Sequence, residues 1–240
     1  IKISEETDYP FRGVISFTIS TDEPVKFPLE LRIPGWADSV KVTYKGKNEV
    51  FKDKSQIKLT GKWKNGDQIT LELPMDLRFE RRYNNSVSLL RGPLYFSLRM
   101  DKEYRSVKIN YDNFGYKGSV DWEILPKSPW NYGLLIDMKN PERGISMREN
   151  KTGKLPFADQ GDMIWSEEAE KYIEYQEEAP VILKARGMRI PSWSIKNNSA
   201  DVPPLSPVAP EGDPVIIELV PYGCARLRIT EFPVMDITLM

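Results

Sequence analysis

The side chains that could carry covalent or acid–base chemistry are one cysteine, Cys224, and 35 carboxylates, and the sequence contains no histidine. The lack of histidine rules out Ser-His and Cys-His nucleophilic systems and His-ligated metal sites. One cysteine can form neither an internal disulfide nor a cysteine-cluster zinc site. Cys224 follows Tyr222-Gly223, where a small residue entering a strand is a simpler explanation than a nucleophile. We therefore predict no catalytic residue and no metal site in this chain.

Paired carboxylates are the remaining route to catalysis, because glycoside hydrolysis uses two Asp or Glu side chains about 5–9.5 Å apart. Among 35 acidic residues some pair meets that distance by chance. The densest acidic run, Glu167–Glu178, is more typical of a solvated helix face than of a metal site. Catalysis by a carboxylate pair stays an alternative that a cleft with a carboxyl of raised pKa would support.

Aromatic side chains offer a different function, because a sugar ring can stack on an exposed Trp or Tyr. The candidates are Trp122, Trp130, Tyr132, Trp165 and Trp193. Tyr111 and Tyr116 also lie in a loop-like stretch. Each tryptophan could equally fill a core or a domain seam. Two coplanar, solvent-facing rings on one surface would favour a carbohydrate-binding module.

The charge balance argues against two classes of partner. The 34 basic and 35 acidic residues nearly cancel, whereas a nucleic-acid or anionic-membrane binder usually carries a basic surplus or stripe. No apolar run approaches the roughly 20 residues that a membrane-spanning helix needs. We expect neither nucleic acid nor membrane among the partners.

The elements that position these side chains are mainly strands, because apolar residues alternate with period two. Ile15, Phe17 and Ile19 share one side of a run whose other side is Ser and Thr. The pattern recurs at Leu29–Ile33, Val40–Tyr44, Ile57–Leu59 and Ile69–Leu73. Turn sequences separate the runs at Pro34-Gly35, Lys45–Asn48 and Asn65-Gly66. Strands with one buried face and one solvent-exposed face are typical of an antiparallel β-sandwich or jelly roll.

The later part of the chain carries weaker strand signals and one helix signal. Strand-like runs occur at 119–125, 133–137, 181–190, 215–220 and 225–230, and a proline-rich connection covers 201–214. Ser166–Gln176 is the predicted helix, because Ser166 can cap it and glutamates follow. The sequence predicts an all-β fold of two antiparallel, jelly-roll-like β-sandwich modules with little helix. The modules are 1–100 and 101–240, the second with a long insertion.

Several strings resemble one protein family. Phe27–Ala37 resembles the LRIPGWA segment of the β-L-arabinofuranosidase family, glycoside hydrolase family 127 (GH127). Trp63–Met75 is similar to the family's W-x-x-G-D and L-x-L-P-M stretch, and Leu90–Leu94 to its RGPL strand. Pro129–Tyr132 and Val220–Pro233 resemble the end of longer bacterial members.

The resemblance implies a role without catalysis. In that family a helical barrel precedes the β domains and holds a cysteine nucleophile, with zinc bound by further cysteines and a glutamate. None of those positions has a counterpart here. The resemblance implies a C-terminal accessory region, partnered by an N-terminal helical-barrel catalytic domain of the same parent chain, which acts on plant-derived glycans. Zinc is then a cofactor of the parent's barrel, and no cofactor is expected in this fragment.

The start of the chain agrees with that interpretation. Ile1-Lys2-Ile3 lacks an initiator Met and a signal segment, so we expect a piece of a longer parent. The residues assign no cellular compartment, and a periplasmic or secreted parent is an expectation. An accessory role also predicts an uncovered apolar surface where the barrel would dock. A carbohydrate-binding module that uses exposed Trp and Tyr is the alternative function.

Overall fold

A computed structural model describes residues 1–107, 120–137, 140, 143–209 and 211–235. Strands dominate these ranges, and helical structure is confined to short 3-10 turns such as Tyr83–Asn85 and Tyr222–Cys224. The prediction of an all-β, antiparallel fold with little helix is confirmed. Within the described ranges, no helix has the length and hydropathy that crossing a membrane would require.

The first compact unit comprises residues 1–77 together with 91–94. Five of its strands form an antiparallel sheet in the order β1-β2-β7-β4-β5, and β3 pairs with β6. The strands are β1 (Lys2–Thr7), β2 (Val14–Ser20), β3 (Val25–Arg32), β4 (Ser39–Tyr44), β5 (Lys47–Lys52), β6 (Gln56–Trp63) and β7 (Gln68–Glu72).

The core of the first unit is filled from both sheets and has a tryptophan among its largest members. Trp63 is fully buried. Its Nε1 donates a hydrogen bond to the carbonyl oxygen of Phe27 at 3.0 Å, and the rings of Phe27 and Tyr44 lie 6.0 and 6.5 Å from its ring. Alternating buried residues of β4, β6 and β7 complete the core: Val40, Val42, Ile57, Leu59, Ile69 and Leu71. The period-two pattern of the sequence therefore supplies the buried face.

Two tight turns of the first unit need backbone conformations with positive φ. Lys45 and Gly46, at φ 47° and 72°, join β4 to β5. Two consecutive residues with positive φ are the geometry that matches the right-handed twist of a hairpin. Gly66, at φ 83°, lies between β6 and β7, and the side-chain oxygen of Asn65 accepts a hydrogen bond from the Thr21 amide at 3.2 Å. Both turns lie where the sequence predicts them.

The second compact unit comprises residues 78–90 and the described residues from 95 onward. Its main sheet has the order β13-β17-β20-β10-β9-β8, with β14 also paired to β17. Three further hairpins are β11–β12, β15–β16 and β18–β19. The strands are β8 (Leu77–Arg81), β9 (Val87–Arg91), β10 (Leu94–Leu98), β11 (Lys102–Val107), β12 (Asp121–Pro126), β13 (Tyr132–Leu134), β14 (Ile145–Glu149), β15 (Met163–Ser166), β16 (Lys171–Glu174), β17 (Val181–Arg189), β18 (Ile195–Lys196), β19 (Ser199–Ala200) and β20 (Val215–Pro221).

The predicted helix Ser166–Gln176 is wrong, because this segment is the β15–β16 hairpin. The Ser166 hydroxyl does accept a hydrogen bond from the Ala169 amide at 3.2 Å, but the capped structure is a turn. Trp165 and Tyr172 face each other across the two strands, with ring centroids 5.4 Å apart. Packing of these aromatic side chains, which favours a pleated surface, overrides the local helix signal.

Val87–Leu98 forms the β9–β10 hairpin, whose turn contains Gly92 at φ 54°. One strand prediction also needs correction. Residues 225–230 form no strand. There the Arg228 Nε donates to the carbonyl oxygen of Ala225 at 3.0 Å, and the Ile229 amide donates to the Ser97 hydroxyl at 3.1 Å. These side-chain hydrogen bonds replace the ladder that the alternating pattern predicted.

Candidate functional site

An arginine at the end of β10 gathers three carboxylates in the second unit. The guanidinium of Arg99 makes a two-point contact with Asp159, with nitrogen–oxygen distances of 2.7 and 3.0 Å. It also donates to Glu218 at 2.8 Å and to Glu178 at 3.2 Å. Glu178 in turn receives two hydrogen bonds from Arg148, at 2.6 and 2.8 Å. We call Arg99 with these partners the Arg99 network.

Contacts within the Arg99 network shift the pKa values of Arg99, Glu178 and Glu218 in the direction that favours their charged forms. Burial opposes charge on Arg99, but the negative charge of Asp159 and hydrogen bonds to three carboxylates raise its pKa further above its ordinary value. Hydrogen bonds from Arg148 lower the pKa of Glu178. Burial acts to raise the pKa of Glu218, yet hydrogen bonds from Arg99 and Lys184 lower it overall. A general acid needs a raised carboxyl pKa, so these two glutamates do not suit that role.

A second charged group lies around Asp162, whose side chain is fully buried. Asp162 pairs with Lys102, which is itself only 8% exposed. It also accepts hydrogen bonds from Arg226 Nε at 2.9 Å and from the Tyr104 hydroxyl at 3.1 Å. Burial, followed by the charge of Asp162 and this hydrogen bond, raises the pKa of Tyr104 to about 12. The four side chains satisfy one another, as buried charges must.

Cys224 lies beside these two groups and is fully buried. Its thiol donates a weak hydrogen bond to the carbonyl oxygen of Pro156 at 3.6 Å. Burial, with added repulsion from the charges of Asp159 and Asp162, raises the pKa of Cys224 to about 12. The thiolate is the reactive form of cysteine, so this environment disfavours a nucleophile.

We expect Cys224 to react with a disulfide reagent such as DTNB at pH 8 at least about 100-fold more slowly than a free thiol, because the folded chain holds it protonated and buried. The folded pKa lies above the unfolded value of about 8.5. The thiol's contribution to stability is therefore fully present below pH 8.5 and is lost as the pH rises from there toward 12. The measurement is the rate at which Cys224 reacts with DTNB, and the same chain unfolded in guanidinium is the control. Native and unfolded rates within tenfold of each other would contradict this assignment.

A cavity of about 710 Å³ borders the Arg99 network. Its walls come from the end of β10, the start of β11, the turn after β12, the loop at 159–161, and strands β16 and β20. Tyr132, one of the predicted sugar-stacking residues, lines it. The volume lies in the range of about 300–1,000 Å³ that is usual for ligand sites. We take this cavity as the candidate site of the second unit.

Two of the predicted sugar-stacking residues belong to a core. Trp193 is 4% exposed, and its Nε1 donates to the carbonyl oxygen of Asp201 at 2.7 Å. Its ring meets that of Trp130 edge to face, at 5.2 Å and 72°. Trp130 is half-buried and packs on the same cluster as Met188 and Ile190. Both tryptophans therefore pack mainly within the protein.

Trp122 and Trp165 lie in a separate group of rings on the β11–β12 and β15–β16 hairpins. Trp122 meets Tyr104 and Tyr172 edge to face, at 5.6 and 5.3 Å. Its buried Nε1 has no hydrogen-bonding partner among the described residues. Trp165 is 46% exposed. The ring of Trp165 is tilted 73° to that of Tyr172, so these two rings are not the coplanar pair that a sugar platform would present.

The remaining aromatic candidates have different outcomes. Tyr132 is half-buried, with the guanidinium of Arg189 5.7 Å from its ring centroid. Tyr111 and Tyr116 lie outside the described residues. The structure thus brings Tyr132 to the cavity and places the four tryptophans elsewhere.

The described residues do not supply a set of donors that would hold zinc. In the described ranges, no group of three or more His, Cys, Asp and Glu side chains is arranged to hold a metal ion. The one cysteine is buried against a backbone carbonyl. The zinc that the family resemblance implies for a parent therefore has no matching site among these residues.

Sequence reasoning missed the charged residues that border the cavity. Arg99 follows a buried strand, and Asp159 and Asp162 lie in a short turn-like string. Arg99 and Asp159 are 60 positions apart, as are Lys102 and Asp162. No local pattern links them. The one available signal is the occurrence of charged residues directly beside apolar runs.

Comparison with known proteins matches the first part of the chain to a family model. Residues 1–75 match the family model described as the β-L-arabinofuranosidase, GH127 middle domain. No curated protein sequence matches the chain. A crystal structure of a GH127 β-L-arabinofuranosidase from Geobacillus stearothermophilus T6 is 19% identical, with a TM-score of 0.51, and the match covers 95% of this chain and 29% of that chain.

Two further solved structures have the same fold. One is described as a glycoside hydrolase, with 18% identity and a TM-score of 0.54. The other is a GH127 β-arabinofuranosidase, with 15% identity and a TM-score of 0.53. Each match covers 98% of this chain and 32% of the other chain, so the chain spans about a third of the length of these proteins. The resemblance predicted from the sequence is confirmed: residues 1–75 match the GH127 middle-domain model, and the chain shares the fold of a region of these larger proteins.

Proposed function

We propose that this chain is a non-catalytic accessory β region of a β-L-arabinofuranosidase-like glycoside hydrolase, and that it supports a helical-barrel catalytic domain of the same polypeptide. The observation that carries the proposal is the coverage of the matches. Almost all of this chain aligns with only 29–32% of each larger structure. In those structures the aligned region is one part of a larger protein, which supports the proposal that other parts carry the chemistry.

The chemistry of the described residues supports this role. Cys224 is buried with a raised pKa. Hydrogen bonds from basic side chains lower the pKa of Glu178 and, against the effect of burial, that of Glu218. Such ion pairs fix the positions of loops and strands. Neither group offers the nucleophile or the general acid that glycoside hydrolysis requires.

An exposed apolar patch of the second unit is a suitable surface for the barrel. Tyr83, Val202 and Leu205 are 64%, 59% and 66% exposed. Their two segments are joined, because Asn84 donates to the carbonyl oxygen of Pro203 and accepts from the Ser206 amide, both at 2.9 Å. Large side chains left in water on a fixed scaffold commonly mark an interaction surface. The occupant that we propose is the helical barrel.

The test compares turnover by the 240-residue chain with turnover by a longer polypeptide that joins it to its helical barrel. We expect no turnover of aryl arabinofuranosides by the chain alone and measurable turnover by the longer polypeptide. Turnover by the chain that disappears on a single carboxylate substitution would contradict the proposal. Inactivity of the longer polypeptide toward arabinofuranosyl and related plant-glycan substrates would also contradict the proposed activity.

A matched variant tests the docking surface in the same experiment. Leu205→Asp should leave the midpoint of thermal unfolding of the 240-residue chain within about 2 °C, because surface substitutions usually have small effects. In the longer polypeptide it should lower the midpoint of the barrel's unfolding by several degrees. If Leu205→Asp lowers the midpoint of thermal unfolding equally in both proteins, the barrel does not dock on this surface. Val215→Asp, at a position 42% exposed on β20, is the control.

Carbohydrate binding is a second candidate function. It is favoured by the exposure of Trp165 and by the position of Tyr132 at the cavity. The edge-to-face packing of the candidate tryptophans weighs against flat ring platforms.

A further inference from the structure

We propose that the 710 Å³ cavity of the second unit binds a neutral, polyhydroxylated ligand, with an oligosaccharide as the fitting chemical class. The inference goes beyond the accessory role, which needs no ligand in this cavity. It also differs from binding on exposed tryptophan rings, because the cavity is lined mainly by charged and polar side chains.

The charges around the cavity favour neither a strongly anionic nor a strongly cationic ligand. The lining has three cations and four carboxylates: Arg99, Lys102 and Lys127 against Asp101, Asp159, Glu174 and Glu218. Arg99 is paired with Asp159 and Glu218, and neither sign dominates the lining, so the surface presents no strong field of one sign to attract an anion or a cation. Among the described residues no metal-binding group of acidic side chains occurs. A neutral ligand with many hydroxyl groups suits such a lining, because each hydroxyl both donates and accepts hydrogen bonds.

Part of this polar lining is fixed and part is available. Arg99 and Asp159 hold each other at 2.7 and 3.0 Å, so the wall that they form is ordered before a ligand arrives. By contrast, the side chains of Asp101, Lys127 and Glu174 have no hydrogen-bond or ion-pair partner among the described residues and are exposed. The fixed wall limits the ordering cost of binding. The available groups supply acceptors and a donor for hydroxyls.

The cavity also offers apolar surface for the carbon face of a sugar ring. Ile216 is 63% exposed on β20, and Tyr132 contributes part of its ring. Arg189 lies 5.7 Å from the Tyr132 ring centroid and steadies that ring. Ligand sites commonly combine apolar contact area with a few convergent polar groups. The apolar surfaces of Ile216 and Tyr132 beside the polar lining therefore suit a sugar ring.

The test is titration of the 240-residue chain with a neutral arabino-oligosaccharide, followed by two-dimensional NMR. We expect saturable shifts at the backbone amides of 99–102, 127–128, 130–132 and 216–218. The double variant Asp101→Asn/Lys127→Ala keeps the net charge and removes one acceptor charge and one donor at exposed positions. It should weaken binding by at least about tenfold, which corresponds to about 1.4 kcal/mol. Tyr132→Leu is the second variant, with a similar expected loss.

Trp165→Ala is the control, because this exposed ring lies outside the cavity lining. It should leave the affinity within about twofold. A large loss in Trp165→Ala with none in the double variant would overturn the proposal in favour of ring stacking. Tighter binding of an oligogalacturonate of equal length, or no binding by any neutral oligosaccharide tested, would also overturn it. None of these outcomes bears on the docking test above, so failure of the cavity proposal and of the accessory role can be told apart.

Discussion

Asp162→Asn is expected to lower the free energy of unfolding by about 3–5 kcal/mol, the usual effect of removing one partner from a buried ion pair. The loss is large because Lys102, only 8% exposed, would keep its charge without its main partner. Arg226 and the Tyr104 hydroxyl would lose a charged acceptor at the same time. The measurement is urea denaturation followed by far-UV circular dichroism.

Two companion variants separate this cause from a general loss of packing. Lys196→Gln removes the exposed partner of a 4.0 Å ion pair with Asp201 and should change stability by less than about 0.5 kcal/mol. Lys102→Met combined with Asp162→Asn should recover part of the loss, because no buried ammonium then remains unpaired. Equal destabilisation in the single and double variants would contradict the role assigned to the charge of Lys102.

Trp63→Ala should destabilise the first unit by about 3–5 kcal/mol, as is usual for truncating a buried Trp or Phe. The substitution removes a fully buried ring and its 3.0 Å hydrogen bond to the carbonyl oxygen of Phe27. Hydrogen exchange measures this best, since protection should fall at Ile69 and Leu71 on β7 while amides of β17 keep theirs.

Val50→Ala is the matched control in the first unit, because Val50 lies on β5 and is 62% exposed. Its effect should stay below about 1 kcal/mol, within the span of strand propensities. Loss of protection in β17 equal to that in β7 would mean that the two units unfold together. If Trp63→Ala changes hydrogen-exchange protection only slightly in both units, the assignment of Trp63 to the centre of the core is wrong.

How much the sequence predicts depends on whether the information is local. Alternation such as that of Ile57 and Leu59 identifies strands and their buried faces, and Lys45-Gly46 identifies a hairpin turn by its conformational demand. The β15–β16 hairpin could not be predicted in this way. Its stabilising contacts include Trp122, which is distant in the sequence from Tyr172.

The candidate site was even less accessible to sequence reasoning. Tyr132 is one of five aromatic candidates in the sequence, and only the fold separates it from Trp193, whose ring fills a core. Asp159 and Asp162 look like ordinary turn residues in the sequence. Their buried, paired state depends on partners brought in from β10 and β11.

The Arg99 network has a consequence for the rate at which the second unit opens. Its contacts join Arg99 to residues that are 60, 79 and 119 positions away. Contacts with such separations require the closure of long loops, so we expect them to form after the folding barrier is crossed. Interactions that are absent at the barrier must be broken before the chain can unfold, and they slow unfolding without slowing folding. We therefore expect the network to slow the unfolding of the strands that it joins while leaving their folding rate unchanged.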